Sequence, residues 1–189
     1  MDSKNVICQY LENLRDEIGH LPIEIIDEIV SILQKARVEG KRIFLMGNGG
    51  SAATASHFAS DLNKGANIPG QRRFKATAFT DNIPVITAWG NDSTYADIFK
   101  EQVENHVEAG DIVIGISGSG KSLNIVKALE LAKMKGAYTI ALTGMGGGKV
   151  KDIAHKCLIV PSDSMERIED IHLALEHTIT TCLRNWGKP

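Results

Sequence analysis

Several things are scarce in this 189-residue chain, and each scarcity closes off a class of function. Its three cysteines, Cys8, Cys157 and Cys182, stand far apart with no C-x-x-C spacing. That odd, scattered set argues against a disulfide framework or a thiolate zinc site and for a reducing compartment. Excess positive charge is missing too. The formal net charge is −2, so no large field draws in nucleic acid by counterion release, and the short cluster Arg72, Arg73, Lys75 reads as a solvated loop. No apolar run approaches the ~20 residues needed to span a bilayer. The opening stretch MDSKNVICQYLENLRDEIG is polar and amphipathic, without the charged-then-apolar layout of a signal peptide. The expectation is a cytoplasmic protein with neither membrane nor nucleic acid among its partners.

What is present is a pattern of short strands and helices. The length suits one domain, residues 1–189, around a single core. Ile7, Leu11, Leu14 and Ile18 recur at helical spacing, and HLPIEIIDEIVSILQKARVEGK predicts a second amphipathic helix, with Pro22 near its start and Gly40 as its stop. These leading helices, within residues 1–40, carry apolar faces that need a sheet or another copy of the chain to cover them. Then come β-prone runs at 42–46, 75–79, 111–117, 138–143 and 157–160. Helical stretches at 51–62, 93–107 and 121–135 separate most of them, and a closing helix spans about 165–186. Nearly continuous apolar strands alternating with helices predict an α/β fold with a five-stranded parallel sheet, covered on both faces.

Glycine and serine concentrate in two loops, each after a strand and before a helix. GISGSGKS, from Gly115, fits the P-loop pattern at every fixed position. A P-loop, however, usually follows the first strand of its core and needs an acid ending a later apolar strand to hold Mg²⁺. Here YTIALTG ends without one. The other loop, from Gly47, satisfies G-x-G-x-x-A, but no acid follows at the ~20-residue spacing that a dinucleotide ribose requires. A third reading uses both loops together, facing one crevice beyond the strand ends. Ser117, Ser119 and Ser122, with freed backbone N–H groups, would hold the phosphate of a compact polyhydroxylated molecule. Taken singly, each serine fits a cap or turn equally well.

Acid–base groups stand on two helices. On 51–62, Ala55, Phe58, Ala59 and Leu62 form the core stripe, while Thr54, His57 and Asp61 fall opposite, with His57 and Asp61 neighbours at i, i+4. An ordinary solvated His–Asp pair fits that spacing as well. On the closing helix Glu169 and His177 lie off the apolar stripe, and His172 sits nearer to it. Eight residues of helix rise ~12 Å, so Glu169 and His177 meet at one small ion only if both reach inward or a neighbouring chain contributes one of them.

GNGGSA…HF, WGND, ISGSGKS and the closing ERIEDIHLALEH together resemble the sugar isomerase (SIS) domain family, specifically its phosphoheptose isomerase branch, over nearly the whole chain. The resemblance implies a doubly wound, flavodoxin-like SIS domain with an N-terminal helical hairpin, assembled as a homotetramer with the site at a subunit interface. It implies that Asn48, Gly49, Gly50, Ser51, Asn91 and Asp92 hold sugar hydroxyls and that Ser117, Gly118, Ser119 and Ser122 grip the phosphate. Positions matching His57, Asp61, Glu169 and His177 hold His, Glu, Gln and His in that branch, where they bind zinc and transfer protons. This chain departs at two of them, with a shorter carboxylate at Asp61 and a charge at Glu169, and its serine loop differs from the branch's S-T-S-G-N-S. The implied cofactor is Zn²⁺ on His57, Asp61, Glu169 and His177. The implied reaction turns D-sedoheptulose 7-phosphate into D-glycero-D-manno-heptose 7-phosphate through an enediol, with Asp61 as base, Glu169 in reserve for that role, and His177 as acid. A non-catalytic SIS module, binding sugar phosphate as a regulatory or replication-initiator-associated protein, is the competing class that the two departures leave open.

Overall fold

A computed structural model describes residues 2–187. Strands β1 (Ile43–Gly47), β2 (Ala76–Ala78), β3 (Ile112–Ser117), β4 (Tyr138–Thr143) and β5 (Lys156–Ile159) form one sheet in the order β2-β1-β3-β4-β5, every neighbouring pair parallel. β1 and β3 are buried along their whole length. That is why they read as unbroken apolar runs rather than alternating ones. Alternation still sorts their side chains between two cores. Leu45, Ile114 and Leu142 face one side, where α2 (Ile23–Glu39), α3 (Gly50–Ser60) and α8 (Met165–Arg184) pack. Phe44, Met46 and Val113 face the other, against α5 (Lys100–His106) and α6 (Leu123–Met134).

The helix ends follow local chemistry. α2 stops at Gly40 in the left-handed region, φ 73°, where a side chain would be strained. α3 passes into a π-helical turn at Asp61–Gly65, so the continuous helix expected through 62 changes pitch at Asp61. Within that turn Asn63 donates to the Ala76 carbonyl at 2.8 Å and accepts from the Ala76 N–H at 2.9 Å, which covers part of the edge strand β2. α4 (Ile83–Asp92), absent from the sequence-based expectation, starts with Asn82 accepting from Val85 N–H and Pro84 in its first turn. α1 (Ser3–Gly19) buries none of its residues. It is tied to α8 by polar contacts: Tyr10 donates to Asp170 at 2.6 Å, and Arg167 Nε lies 3.0 Å from both carboxylate oxygens of Glu17. No helix among the described residues is long and apolar enough to cross a membrane.

One polar group sits deep in this frame. His172, on α8, is 1% exposed, and among the described residues neither ring nitrogen has a hydrogen-bond partner. Burial pushes its pKa down to about 4, the main chain of Thr143 offsetting only part of the effect. Above the ordinary value of 6.5 the ring is neutral whether folded or not; below it, only the unfolded chain takes up the proton. The contribution of His172 to stability therefore falls as pH drops from about 6.5 to about 4, by about 3 kcal/mol in all. Urea midpoints across that range should show this acid slope in the native chain, and His172→Leu should flatten it.

Candidate functional site

The strand order turns between β1 and β3, and ligands of open parallel sheets bind beyond the carboxyl ends of the strands at such a turn. β1 and β3 pair through Gly47 and Ile116, so the two Gly/Ser loops leave the sheet side by side. A pair of amides clasps them: Asn48 Nδ2 donates to Asn124 Oδ1 at 3.0 Å, and Asn124 Nδ2 donates back to Asn48 Oδ1 at 2.8 Å. Tyr95 adds its hydroxyl to Asn48 Oδ1 at 2.9 Å. A crevice of about 260 Å³ opens between the loops, lined by Asn48, Ser51, Ser117, Ser119, Ser122 and Glu169, among others. A larger cavity, about 380 Å³, lies at the amino ends of β3 and β4 beside Lys35 and His155, the wrong end of the sheet for such a ligand.

The crevice is shaped for an anion. α3 and α6 both open onto it, and neither cap residue, Gly49 or Ser122, bonds a first-turn N–H through a side chain. In α6, Asn124 Oδ1 takes the Ile125 N–H at 2.9 Å, which leaves the N–H groups before it facing the crevice. Ser122, at the cap position of α6, instead shares its hydroxyl with Ser117 at 3.1 Å. α8, by contrast, is capped by Ser164. Uncapped N–H groups and the positive helix end attract an oxyanion. The glycines here allow close approach, and at Gly120 the neighbour is main chain that cannot yield. A Cβ on Gly50 would strike the Glu169 carboxylate, and one on Gly120, at φ 64°, would strike the Gly147 carbonyl. Lys121, the P-loop lysine of the pattern, is exposed.

Further along α3 and α8 is a second cluster. His57 and His177 stand edge to face with ring centroids 4.9 Å apart, within one chain. His57 Nε2 lies 4.0 Å from Asp61 Oδ1, while His57 Nδ1 and His177 Nε2 each lie 3.4 Å from Glu176 Oε1. One donor atom from each of His57, Asp61, Glu176 and His177 falls within 4.8 Å of all the others, a set able to hold a metal ion. Glu176 is fully buried, and among the described residues neither of its oxygens accepts a hydrogen bond. Burial, followed by the charge of Asp61, pushes its pKa up to about 7.

Several expectations change against this geometry. Glu169 does not join the metal-capable group; it lies against Gly50 in the crevice, and Glu176 stands where it was expected. Helical rise separates the two carboxylates. Asn91 and Asp92 end α4 exposed, bonded to each other at 2.8 Å, and neither lines the crevice. That segment reaches the loops through Tyr95 instead. Thr54, expected opposite the core stripe, is buried and bonded to the Gly50 carbonyl at 3.3 Å. Asn124 and Glu176 were both missed. The available signal for Glu176 was the run His172, Glu176, Thr180 at i, i+4 spacing, a polar line beside the apolar stripe.

Known proteins agree with this architecture. The profile described as SIS domain matches residues 8–144. A phosphoheptose isomerase of Citrifermentans bemidjiense is 41% identical over 172 residues, covering 91% of this chain and 87% of that protein. Among solved structures, a phosphoheptose isomerase from Francisella tularensis superposes with a TM-score of 0.89 at 29% identity, covering 98% of this chain and 100% of that one. One from Neisseria gonorrhoeae gives 0.87 at 30%, covering 96% and 97%. With motif, fold and crevice all in accord, the chain belongs to the SIS domain family, on its phosphoheptose isomerase branch.

Proposed function

We propose that this chain is an aldose–ketose isomerase that converts D-sedoheptulose 7-phosphate to D-glycero-D-manno-heptose 7-phosphate. The observation that carries the reading is the pairing of an anion-shaped crevice with an acid–base cluster at a fitting distance. The phosphate would sit against Ser117, Ser119 and Ser122 and the uncapped ends of α3 and α6. Gly50, at the crevice, and His57 are seven residues apart on α3, about 10 Å along the helix axis. An extended seven-carbon sugar phosphate spans a gap of that order, so its carbonyl end would reach His57, Asp61 and His177. Asn48, Ser51 and Glu169 would meet hydroxyls between the two ends, and Asn91 and Asp92 would do so only if their segment moved inward.

Isomerisation moves a proton from C1 to C2 through an enediol, which needs a base beside both carbons and a donor for the developing oxyanion. Asp61, partly exposed at the edge of the cluster, would take the C1 proton and return it at C2. His177 presents Nε2 to Glu176, which leaves Nδ1 to donate toward the carbonyl oxygen. The donor set suits a divalent ion such as Zn²⁺, which prefers imidazole and carboxylate ligands in this number, and a buried carboxylate without a hydrogen bond wants a cation. His57 and His177 would be among the residues holding the ion, which when bound supplies Lewis-acid polarisation of the carbonyl. Exposed Val6, Ile7, Leu11 and Ile18 on α1 would be covered by other copies of the chain in a homotetramer that brings sites to its interfaces.

Two measurements test this reading. Incubated with sedoheptulose 7-phosphate in D₂O, the native protein should exchange deuterium into C1, and a chelator should suppress the exchange; binding without exchange would instead identify a non-catalytic sugar-phosphate module. Asp61→Asn should lower kcat by about 10²–10⁴-fold with inorganic phosphate still bound, whereas Ser122→Ala should mainly raise KM, by about tenfold or more. Equal losses of turnover and phosphate affinity in Asp61→Asn would reject its role as base.

A further inference from the structure

The scheme above leaves one glycine-rich stretch without a use: TGMGGGK, from Thr143 to Lys149, which follows β4. Strand order puts the loop after β3 between two neighbours, the β1 loop on one side and this β4 loop on the other. The crevice lies on the β1 side. On the β4 side the contacts run backbone to backbone. The Gly118 carbonyl accepts the Gly144 N–H at 2.9 Å, and the Gly120 carbonyl accepts the N–H groups of Lys149 and Val150 at 2.8 and 3.1 Å. Val150 begins the short helix α7 (Val150–Ile153). The buried Thr143 hydroxyl sits between the loops, 3.5 Å from the Gly118 carbonyl and 3.3 Å from that of Gly144. A peptide unit is planar and trans, so its N–H points away from its C=O. Two carbonyls drawn toward β4 therefore aim the Ser119 and Lys121 N–H groups the other way, toward the crevice. Lys121 N–H meets the Ser119 hydroxyl at 3.3 Å, and among the described residues the Ser119 N–H has no protein acceptor.

We infer that the β4 loop braces the anion site, with Thr143 and Gly148 as positioning residues: it takes up the Gly118 and Gly120 carbonyls, so that the N–H groups of the same peptides face the ligand. This rests on the placement of the phosphate proposed above. Residues 117–120 make a turn closed by the Gly120 N–H on the Ser117 carbonyl at 2.9 Å. Type I and type II turns differ by a half-rotation of the central peptide, here the one joining Gly118 to Ser119. Rotated, that peptide would aim an oxygen at the phosphate in place of a donor. Ser119 avoids the positive φ that a type II turn would give it, and the Gly144 bond holds the peptide from outside. The two loops touch closely enough to need glycine. At Gly148, φ 52°, a Cβ would strike the Ser119 carbonyl and the Gly120 main chain, whereas at Gly146, φ 73°, it would meet nothing.

Gly146→Ala and Gly148→Ala both force a side chain to positive φ, but only the second presses on the phosphate loop, so the pair separates bracing from loop strain. Titrated with inorganic phosphate, full-length Gly148→Ala should bind about tenfold or more weakly, through misaimed charge-assisted donors, and Gly146→Ala within about twofold of native. Thr143→Val, which removes one hydroxyl and keeps the shape, should weaken phosphate about threefold to tenfold, and Thr143→Ser should restore it. In both weakened variants KM for sedoheptulose 7-phosphate should rise in step, with kcat within about threefold of native. Native phosphate affinity in folded Gly148→Ala, or an equal loss in Gly146→Ala, would overturn the brace. If Gly148→Ala does not fold, native affinity in Thr143→Val would overturn it. C1 exchange by the native chain decides the isomerase reading separately: brace variants that lose phosphate, beside a native chain that exchanges no deuterium, would reject that reading and keep the brace.

Discussion

Parallel pairing of β1 with β3, at the point where the strand order turns, is the constraint on which everything else in this molecule depends. It makes two loops that are distant in sequence leave the sheet as neighbours. Each loop opens a helix, so the same pairing brings two positive helix ends to one place. The reciprocal amides of Asn48 and Asn124 then hold the loops in register. Neither loop alone would distinguish this protein from a nucleotide-binding one. Side by side, they frame one crevice lined with the hydroxyls of Ser51, Ser117, Ser119 and Ser122, which is what the proposal of a small phosphorylated polyol rests on.

From that crevice α3 and α8 run along a shared seam over one face of the sheet. Gly50 meets Glu169 at one level, and His57 meets His177 seven and eight residues further on. The matched spacing on two packed helices acts as a ruler, fixing how far the crevice lies from the His57–His177 cluster. It also accounts for the separation of acids. A carboxylate at 169 belongs to the upper level and one at 176 to the lower, and no side chain spans two turns of helix.

Much of the fold was legible because buried parallel strands leave an unmistakable signature. The run at 138–143 matches β4 residue for residue, and the other four strands agree to within one residue at each end. α4 was not legible: Pro84 and Gly90 argue against a helix, and its packed face is short, with Ile86 and Trp89 only half-buried against the core. The π-helical turn at Asp61 was hidden for a different reason, since pitch is a property of packing against β2 and α8 rather than of composition. At the site, His57, Asp61 and His177 could be named from spacing and resemblance. Glu176 could not, because a glutamate beside an apolar stripe reads as solvated, and only the packing of α3 against α8 buries it.

The glycines walling the crevice bear on how this scaffold could be reshaped. Gly47 and Gly120 have no room for even a methyl group, blocked by the main chain of Ser51 and of Gly147, whereas at Gly50 and Gly118 the obstacle is the end of a flexible side chain, Glu169 or Met165. An engineer seeking a shorter or longer sugar would find the floor fixed at Gly47 and Gly120 and open to change only where Glu169 or Met165 can give way. Diversification has to come from the opposite rim, where Tyr95 leans on Asn48, and from the first turns of α8.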